Sequence, residues 1–162
     1  MFGPHSAVAA LVGFVGLALL AGAVGGALTA RSVHGWYLTL HFPPGTPPNW
    51  VFGPVWGTLY VLMGVAAWRA WRCVGVDAAR RLAALRLWGW QLLVNALWSA
   101  AFFGLRSPLG GLIVIALLLA LLVRTLVAFA RVEPVAALLL LPYLAWTGYA
   151  GYLAAGFWWL NS

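Results

Sequence analysis

The sequence predicts an all-α membrane protein, a bundle of five transmembrane helices forming one domain over residues 1–162. Three observations predict it. Hydrophobic residues make up 65% of the chain and charged residues 7%, too few charges to cover a soluble domain. The apolar residues fall into five runs, each long enough to cross a bilayer as a helix. The arginines gather at the ends of those runs, as topology signals and contacts to anionic lipid do.

The first run, about residues 6–29, follows MFGPHS, which holds no Arg or Lys. It exceeds the apolar core of a secretory signal and reads as a retained helix. Residues 30–48 form the one long connection, and a long loop in a compact protein is more often functional than idle. The second run, about 49–73, begins inside FPPGTPPNWVFGPVWGTLY. Its Pro54 lies near the helix start, where at most an early backbone bond is lost. Trp56, Tyr60 and Met63 share one stripe, expected to face an interior space, beside a smooth stripe of Gly53, Gly57 and Gly64 that permits close helix approach. Gly22-x3-Gly26 in the first helix favours tight packing in the same way.

The third run, about 78–105, follows the turn Gly75-Val76-Asp77. Trp88, Gln91, Asn95, Trp98 and Phe102 fall on one helical stripe roughly 80° wide. Two amides at mid-membrane depth are costly against lipid, so the stripe faces protein or a cavity. Gln91 and Asn95 bond neighbouring helices, line a pocket together with the aromatics, or do both, since the two roles can coexist. The fourth run, about 109–130, opens at Ser107-Pro108, a proline suited to a first helical turn, and its Arg124 snorkels to the interface. The fifth, about 133–160, opens at Glu133-Pro134, and Pro142 well inside it predicts a kink. Trp146, Tyr149, Ala150 and Leu153 share one side there, either as an aromatic core or as room for a flat ligand.

Nine arginines against Asp77 and Glu133 give a net charge of +7. Their placement at run ends argues against nucleic-acid binding, which wants a basic patch. Seven (Arg69, Arg72, Arg80, Arg81, Arg86, Arg124, Arg131) flank the second and fourth connections, against Arg31 and Arg106 on the other side. In a bacterial cell membrane that bias puts the N-terminus in the cytoplasm and the loop 30–48 outside; an outer membrane would not follow it in this form. Cys73 is alone, which leaves no disulfide framework and no cysteine metal cluster. No paired carboxylate, nucleophile–base pair or His-x3-His stands out, and His5, His34 and His41 read as polar loop residues. The pattern thus offers no acid–base or metal catalytic site and requires no cofactor. Eleven tryptophans exceed what interfacial anchoring needs.

Three blocks together carry a resemblance: W-Y-x-x-L-x-x-P-P-x-x-P-P-x-W-V-F-G-P-V-W-G-T-L-Y-x-x-M-G from Trp36 to Gly64, Q-L-x-x-N-x-x-W-x-x-x-F-F-G from Gln91 to Gly104, and P-Y-L-A-W from Pro142 to Trp146. In this order they resemble the translocator protein family, whose bacterial members are called tryptophan-rich sensory proteins. The resemblance implies a five-helix bundle, commonly a homodimer, with a pocket opening toward the first loop. It implies binding of porphyrins such as protoporphyrin IX, and in bacterial members their light- and oxygen-dependent breakdown. The family's pocket tryptophans match Trp56 and Trp146. Tyr60, Asn95, Trp98 and Ala150 match further lining positions, and Trp36, Tyr37, Pro43 and Pro44 match the lid loop. The helical stripes add Gln91, Tyr149 and Leu153 as ligand contacts.

The chain departs from the family pattern where Gly45 stands in place of a frequent Trp and Ala154 in place of an Asn. Nothing basic follows Arg131, so the animal sterol motif is incomplete. The function expected is a membrane receptor for tetrapyrroles with a regulatory or stress-response role. A transporter of porphyrins or other small amphiphiles is the alternative, and a regulator meeting a protein partner in the membrane is a third reading.

Overall fold

A computed structural model describes residues 4–162, and every regular element among them is helical. The helices are α1 (Pro4–Val33), α2 (Asn49–Arg72), α3 (Ala78–Ser99), α4 (Pro108–Ala130), α5 (Pro134–Leu139) and α6 (Leu141–Asn161). A 3-10 turn at Trp36–Thr39 lies in the first loop, and a π-helical turn, Ala100–Gly104, continues α3. Among the described residues four helical segments are long and apolar enough to cross a membrane: α1, α2, α4, and α5 with α6 taken together. Among the described residues α3 falls short of them in apolarity, because Arg80, Arg81 and Arg86 occupy its first half and Gln91 and Asn95 its second.

Short polar residues set the later helix starts. The Asp77 carboxylate accepts from the Arg80 N–H at 2.9 Å, and Ser107 Oγ from the Gly110 N–H at 3.0 Å. Glu133 accepts from the Ala136 N–H at 2.6 Å. Each satisfies an N–H that the first turn cannot bond internally. Pro108 and Pro134 sit in the first turns behind these caps, where a missing N–H costs nothing.

Three boundaries differ from expectation. α1 runs one turn further, to Val33, so the loop is 34–48 rather than 30–48. The third run does not stay α-helical to its end, because its last turn widens into the π form, where Leu105 N–H bonds Ala100 O at 2.8 Å. Ser32 of α1 donates to the Phe103 carbonyl of that turn at 2.7 Å, in a buried position. The fifth run is two helices: it breaks at Leu140, since Pro142 has no N–H to carry the ladder across. The expected kink is therefore a break just ahead of the proline.

Around the bundle α1 lies between α2 and α3, α3 beside α4, and α4 beside α5 and α6. α2 closes the ring mainly against α5 and hardly meets α6. Glycines decide where helices touch most closely, though not all of the expected ones. A Cβ on Gly64 would lie 2.5 Å from Val15 Cα, so α1 and α2 meet backbone to backbone there. Gly22 leaves room for the Tyr60 ring, whose Cε2 would be 2.2 Å from a Cβ. Gly26, Gly53 and Gly57 have nothing within 4 Å and contribute no contact within this chain. Gly53 and Gly57 lie toward the start of α2, before the positions on that face, Tyr60 and Gly64, at which α1 comes close.

One end of the bundle is tied by charge. Arg69 donates to Glu133 through Nε and Nη2, at 2.9 and 3.1 Å, joining the end of α2 to the start of α5. The bond from Arg69, foremost, holds the Glu133 carboxyl below the usual carboxylate range. Arg81 Nη1 donates to the Cys73 carbonyl at 2.9 Å, and the Cys73 thiol donates to the Val132 carbonyl at 3.2 Å. Arg72 lies 4.5 Å over the Trp68 ring, whose indole N–H bonds Ala7 O on α1.

Candidate functional site

The stripe read on α3 faces protein. Trp88, Gln91, Asn95 and Phe102 are buried, and Trp98 is half-buried. The amides are used between helices. Tyr60 Oη on α2 donates to Asn95 Oδ1 at 2.6 Å, and Asn95 Nδ2 donates to Tyr143 Oη on α6 at 3.0 Å. Tyr143 Oη in turn donates to Gln91 Oε1 at 2.9 Å, and Gln91 Nε2 reaches Met63 Sδ at 3.8 Å. Trp88 Nε1 completes the level by donating to the Met63 carbonyl at 3.1 Å. α2, α3 and α6 are thus stitched by one polar chain in an apolar interior, where a lone amide would be expensive. Gln91 and Asn95 thus make the bonds between neighbouring helices that spacing allowed.

Above that level the aromatics spread outward. Trp56 stacks on Tyr60, centroids 5.6 Å apart and planes 27° from parallel, and meets the Tyr143 edge at 6.1 Å. Phe52, one turn before Trp56, meets Trp146 at 6.0 Å, and Trp146 meets Tyr149 at 5.6 Å. Phe52, Trp56, Trp146 and Tyr149 therefore line the seam where α2 and α6 part. Trp98 stacks on Phe102 and packs beside Ala150, which faces Ile115 of α4. Leu153 faces a different group, with Phe102, Phe103 and Phe157. The indole N–H groups of Trp98 and Trp146 are buried and have no acceptor among the described residues. Donors in that condition are uncommon in folded proteins and point to an acceptor from elsewhere.

The first loop lies over this end of the bundle. Tyr149 Oη donates to the Gly45 carbonyl and Tyr152 Oη to the Pro44 carbonyl at 3.0 Å. Asn161 brackets His41, accepting from its N–H at 2.8 Å and donating to its carbonyl at 3.1 Å. Pro43 packs so closely on Gly156 that a Cβ there would lie 2.5 Å from it. Gly45 has φ +86°, a left-handed conformation suited to glycine, and so turns the strap at the point that Tyr149 holds. Tyr37 in this loop is buried, 4% exposed and ringed by Phe42, Phe102, Phe103 and Phe157. Burial pushes its hydroxyl up to about 12. Trp36 meets Phe102 at 5.8 Å on the flank of the same cluster.

The predicted residues thus divide. Trp56, Trp146 and Tyr149 share the α2–α6 seam with the strap's Pro44; Pro43 sits beside it on Gly156. Tyr60, Gln91 and Asn95 lie in the polar chain, and Trp36, Tyr37 and Leu153 lie in the cluster under the loop. Trp98 and Ala150 face α4. Sequence reasoning passed over Tyr143, the hub of the polar chain, although it stands inside the quoted P-Y-L-A-W block. It also passed over Phe52, four residues before Trp56 on the same helical face, and Tyr152, three after Tyr149. Among the described residues no three His, Cys, Asp or Glu side chains come together as metal ligands.

Comparison with known proteins is consistent across most of the chain. The TspO/MBR family profile matches residues 14–160. A tryptophan-rich protein TspO of Chlorobaculum tepidum is 42% identical over 143 residues, covering 86% of this chain and 87% of that one. The TspO of Archaeoglobus fulgidus is 41% identical, covering 90% and 94% respectively. The translocator protein of Bos taurus is 37% identical, covering 91% and 87%.

Proposed function

The chain belongs to the TspO/MBR family, and from that premise we propose that it is a membrane receptor for tetrapyrroles of the protoporphyrin IX kind. In this reading α3 crosses the bilayer as a fifth span, the N-terminus is cytoplasmic, and the strapped end of the bundle faces out of a bacterial cell membrane. Two copies pair as a homodimer.

The observation that carries the reading is the α2–α6 seam: Phe52, Trp56, Trp146 and Tyr149 along it, an unpartnered Trp146 indole N–H beside it, and the Pro44–Gly45 strap across it. Flat aromatic walls suit a flat macrocycle, and buried N–H donors suit its carboxylates. Light- and oxygen-dependent breakdown of the bound porphyrin, with Trp56 and Trp146 as electron or radical partners, belongs to the same proposal. It calls for no acid–base pair.

Titrating the purified protein with protoporphyrin IX in the dark, then illuminating it in air, tests both parts. Binding is followed by porphyrin absorbance and tryptophan quenching, breakdown by loss of the porphyrin bands. Trp56→Phe and Trp146→Phe are expected to weaken binding and slow the decay. Unchanged binding and decay in both variants would remove these residues from the site.

A further inference from the structure

We propose that a groove at the basic end of the α3–α4 seam binds the phosphate of an anionic phospholipid, with the lipid's chain running along an alanine floor. The groove holds 440 Å³ and is lined by Arg80, Ala83 and Ala84 of α3, Ala128 of α4, and Arg131 at the α4 C-cap. It lies at the opposite end of the bundle from the strap.

Charge and shape point to the same occupant. Arg80 and Arg131 line the groove and no carboxylate does. The chain has only two acids. Glu133 is committed to Arg69 through both oxygens, and Asp77 caps α3 by accepting from the Arg80 backbone N–H. Neither Arg80 nor Arg131 has a side-chain partner among the described residues.

Between the arginines the walls are methyl groups. From Arg80 to Ala84, and from Arg131 back to Ala128, each helix advances by about one turn, roughly 5 Å. The groove therefore leads from headgroup depth toward acyl depth. Inorganic phosphate would pair with the arginines and leave the methyl floor to water. A phospholipid covers both parts, which is why we commit to the lipid.

The test uses the full-length protein in detergent after delipidation, with phosphatidylglycerol, phosphatidylcholine or inorganic phosphate added. Native mass spectrometry reads how much lipid stays bound. The parent should keep one phosphatidylglycerol in preference to phosphatidylcholine by roughly tenfold or more, as two well-placed arginines allow. R80Q/R131Q should lose that preference, while R106Q, at the other end of the bundle, keeps it. A83L, which fills the floor without changing charge and starts from an exposed position, should also lose the retained lipid. Thermal unfolding of each variant in neutral micelles checks that the fold is intact. Full retention by R80Q/R131Q would overturn the proposal. So would displacement of the lipid by millimolar inorganic phosphate, which marks a free-phosphate site. An unaffected preference in A83L would overturn it as well, by reducing the site to undirected attraction.

Discussion

Removing one oxygen at the centre of the polar chain, Tyr143→Phe, separates structural bonding from ligand contact. Tyr143 is wholly buried and its hydroxyl both accepts from Asn95 and donates to Gln91. The phenyl ring keeps the packing, so the loss is confined to two hydrogen bonds. Interhelical side-chain bonds in membrane proteins are worth about 0.6 kcal/mol on average and up to about 1.7. Two lost bonds, with Gln91 Oε1 and Asn95 Nδ2 stranded in an apolar interior, give roughly 1–3 kcal/mol. For a chain of this size that lowers Tm by about 4–8 °C at the middle of the range. Tyr60→Phe removes one bond, to Asn95 Oδ1, and should cost about half as much. Because both tyrosines act through Asn95, the double variant should depart from additivity by about 0.5 kcal/mol or more. Thermal unfolding in detergent, followed by tryptophan fluorescence, reads all three. A Tyr143→Phe shift of about a degree or less, or strict additivity, would refute the argument. If stability held while porphyrin affinity fell, the chain would belong to the ligand instead.

Gly64→Ala places a methyl 2.5 Å from Val15 Cα and should cost about 1–3 kcal/mol by forcing α1 from α2. Gly57→Ala, with nothing within 4 Å, should be neutral or stabilising by up to about 1 kcal/mol; similar losses for both would contradict the close approach of α1 to α2. Glu133 has a lowered carboxyl pKa, so its bonds to Arg69 and the α5 cap are present at neutral pH and lost as pH falls through that lowered value. Tm of the parent should therefore drop on acidification more steeply than that of Glu133→Gln, which starts about 1 kcal/mol lower; parallel curves from pH 7 to roughly pH 3 would rule out this linkage. Gly45→Ala forces an L-residue into φ +86° and should cost about 1–2 kcal/mol. The cost should be seen as faster amide exchange across residues 41–47, and unchanged exchange would mean the strap does not depend on that turn.

What was legible in the sequence was local. Asp77, Ser107-Pro108 and Glu133-Pro134 announce helix starts because a cap and its N–H lie within one turn of each other. The α3 stripe was legible because helical period alone puts Trp88, Gln91, Asn95 and Phe102 on one side. What fills the space opposite was not. Whether Gln91 and Asn95 serve neighbouring helices depends on Tyr143, which arrives from a helix 48 residues beyond Asn95. Glycine spacing marked Gly22, Gly26, Gly53, Gly57 and Gly64 alike, yet of these only Gly22, under a ring, and Gly64, against a backbone, meet a neighbour. Spacing gives the face, and the stretch along which the neighbouring helix comes close decides which positions on it are used. Resemblance places Tyr37 in the lid loop, and its burial there depends on the return of Phe157 on α6.

The polar chain and the strap together constrain how a ligand could be accommodated. At the level of Tyr143 the three helices α2, α3 and α6 are bonded to one another, so entry there requires breaking several buried bonds at once. One turn further along, α2 and α6 separate, and what covers the seam is a loop held by exposed hydrogen bonds from Tyr149 and Tyr152, each worth only about 0.5–1.5 kcal/mol. The Tyr37 cluster anchors the loop on one side, and Asn161 holds His41 beside it. The segment beyond the packed Phe42 and Pro43 is thus short, Pro44 to Pro48, with Gly45 the residue whose backbone turns it. Opening it would expose Trp146 and Tyr149 while leaving Gln91 and Asn95 enclosed. The bonds among Tyr60, Asn95, Tyr143 and Gln91 thus set the rigidity of the floor beneath the seam.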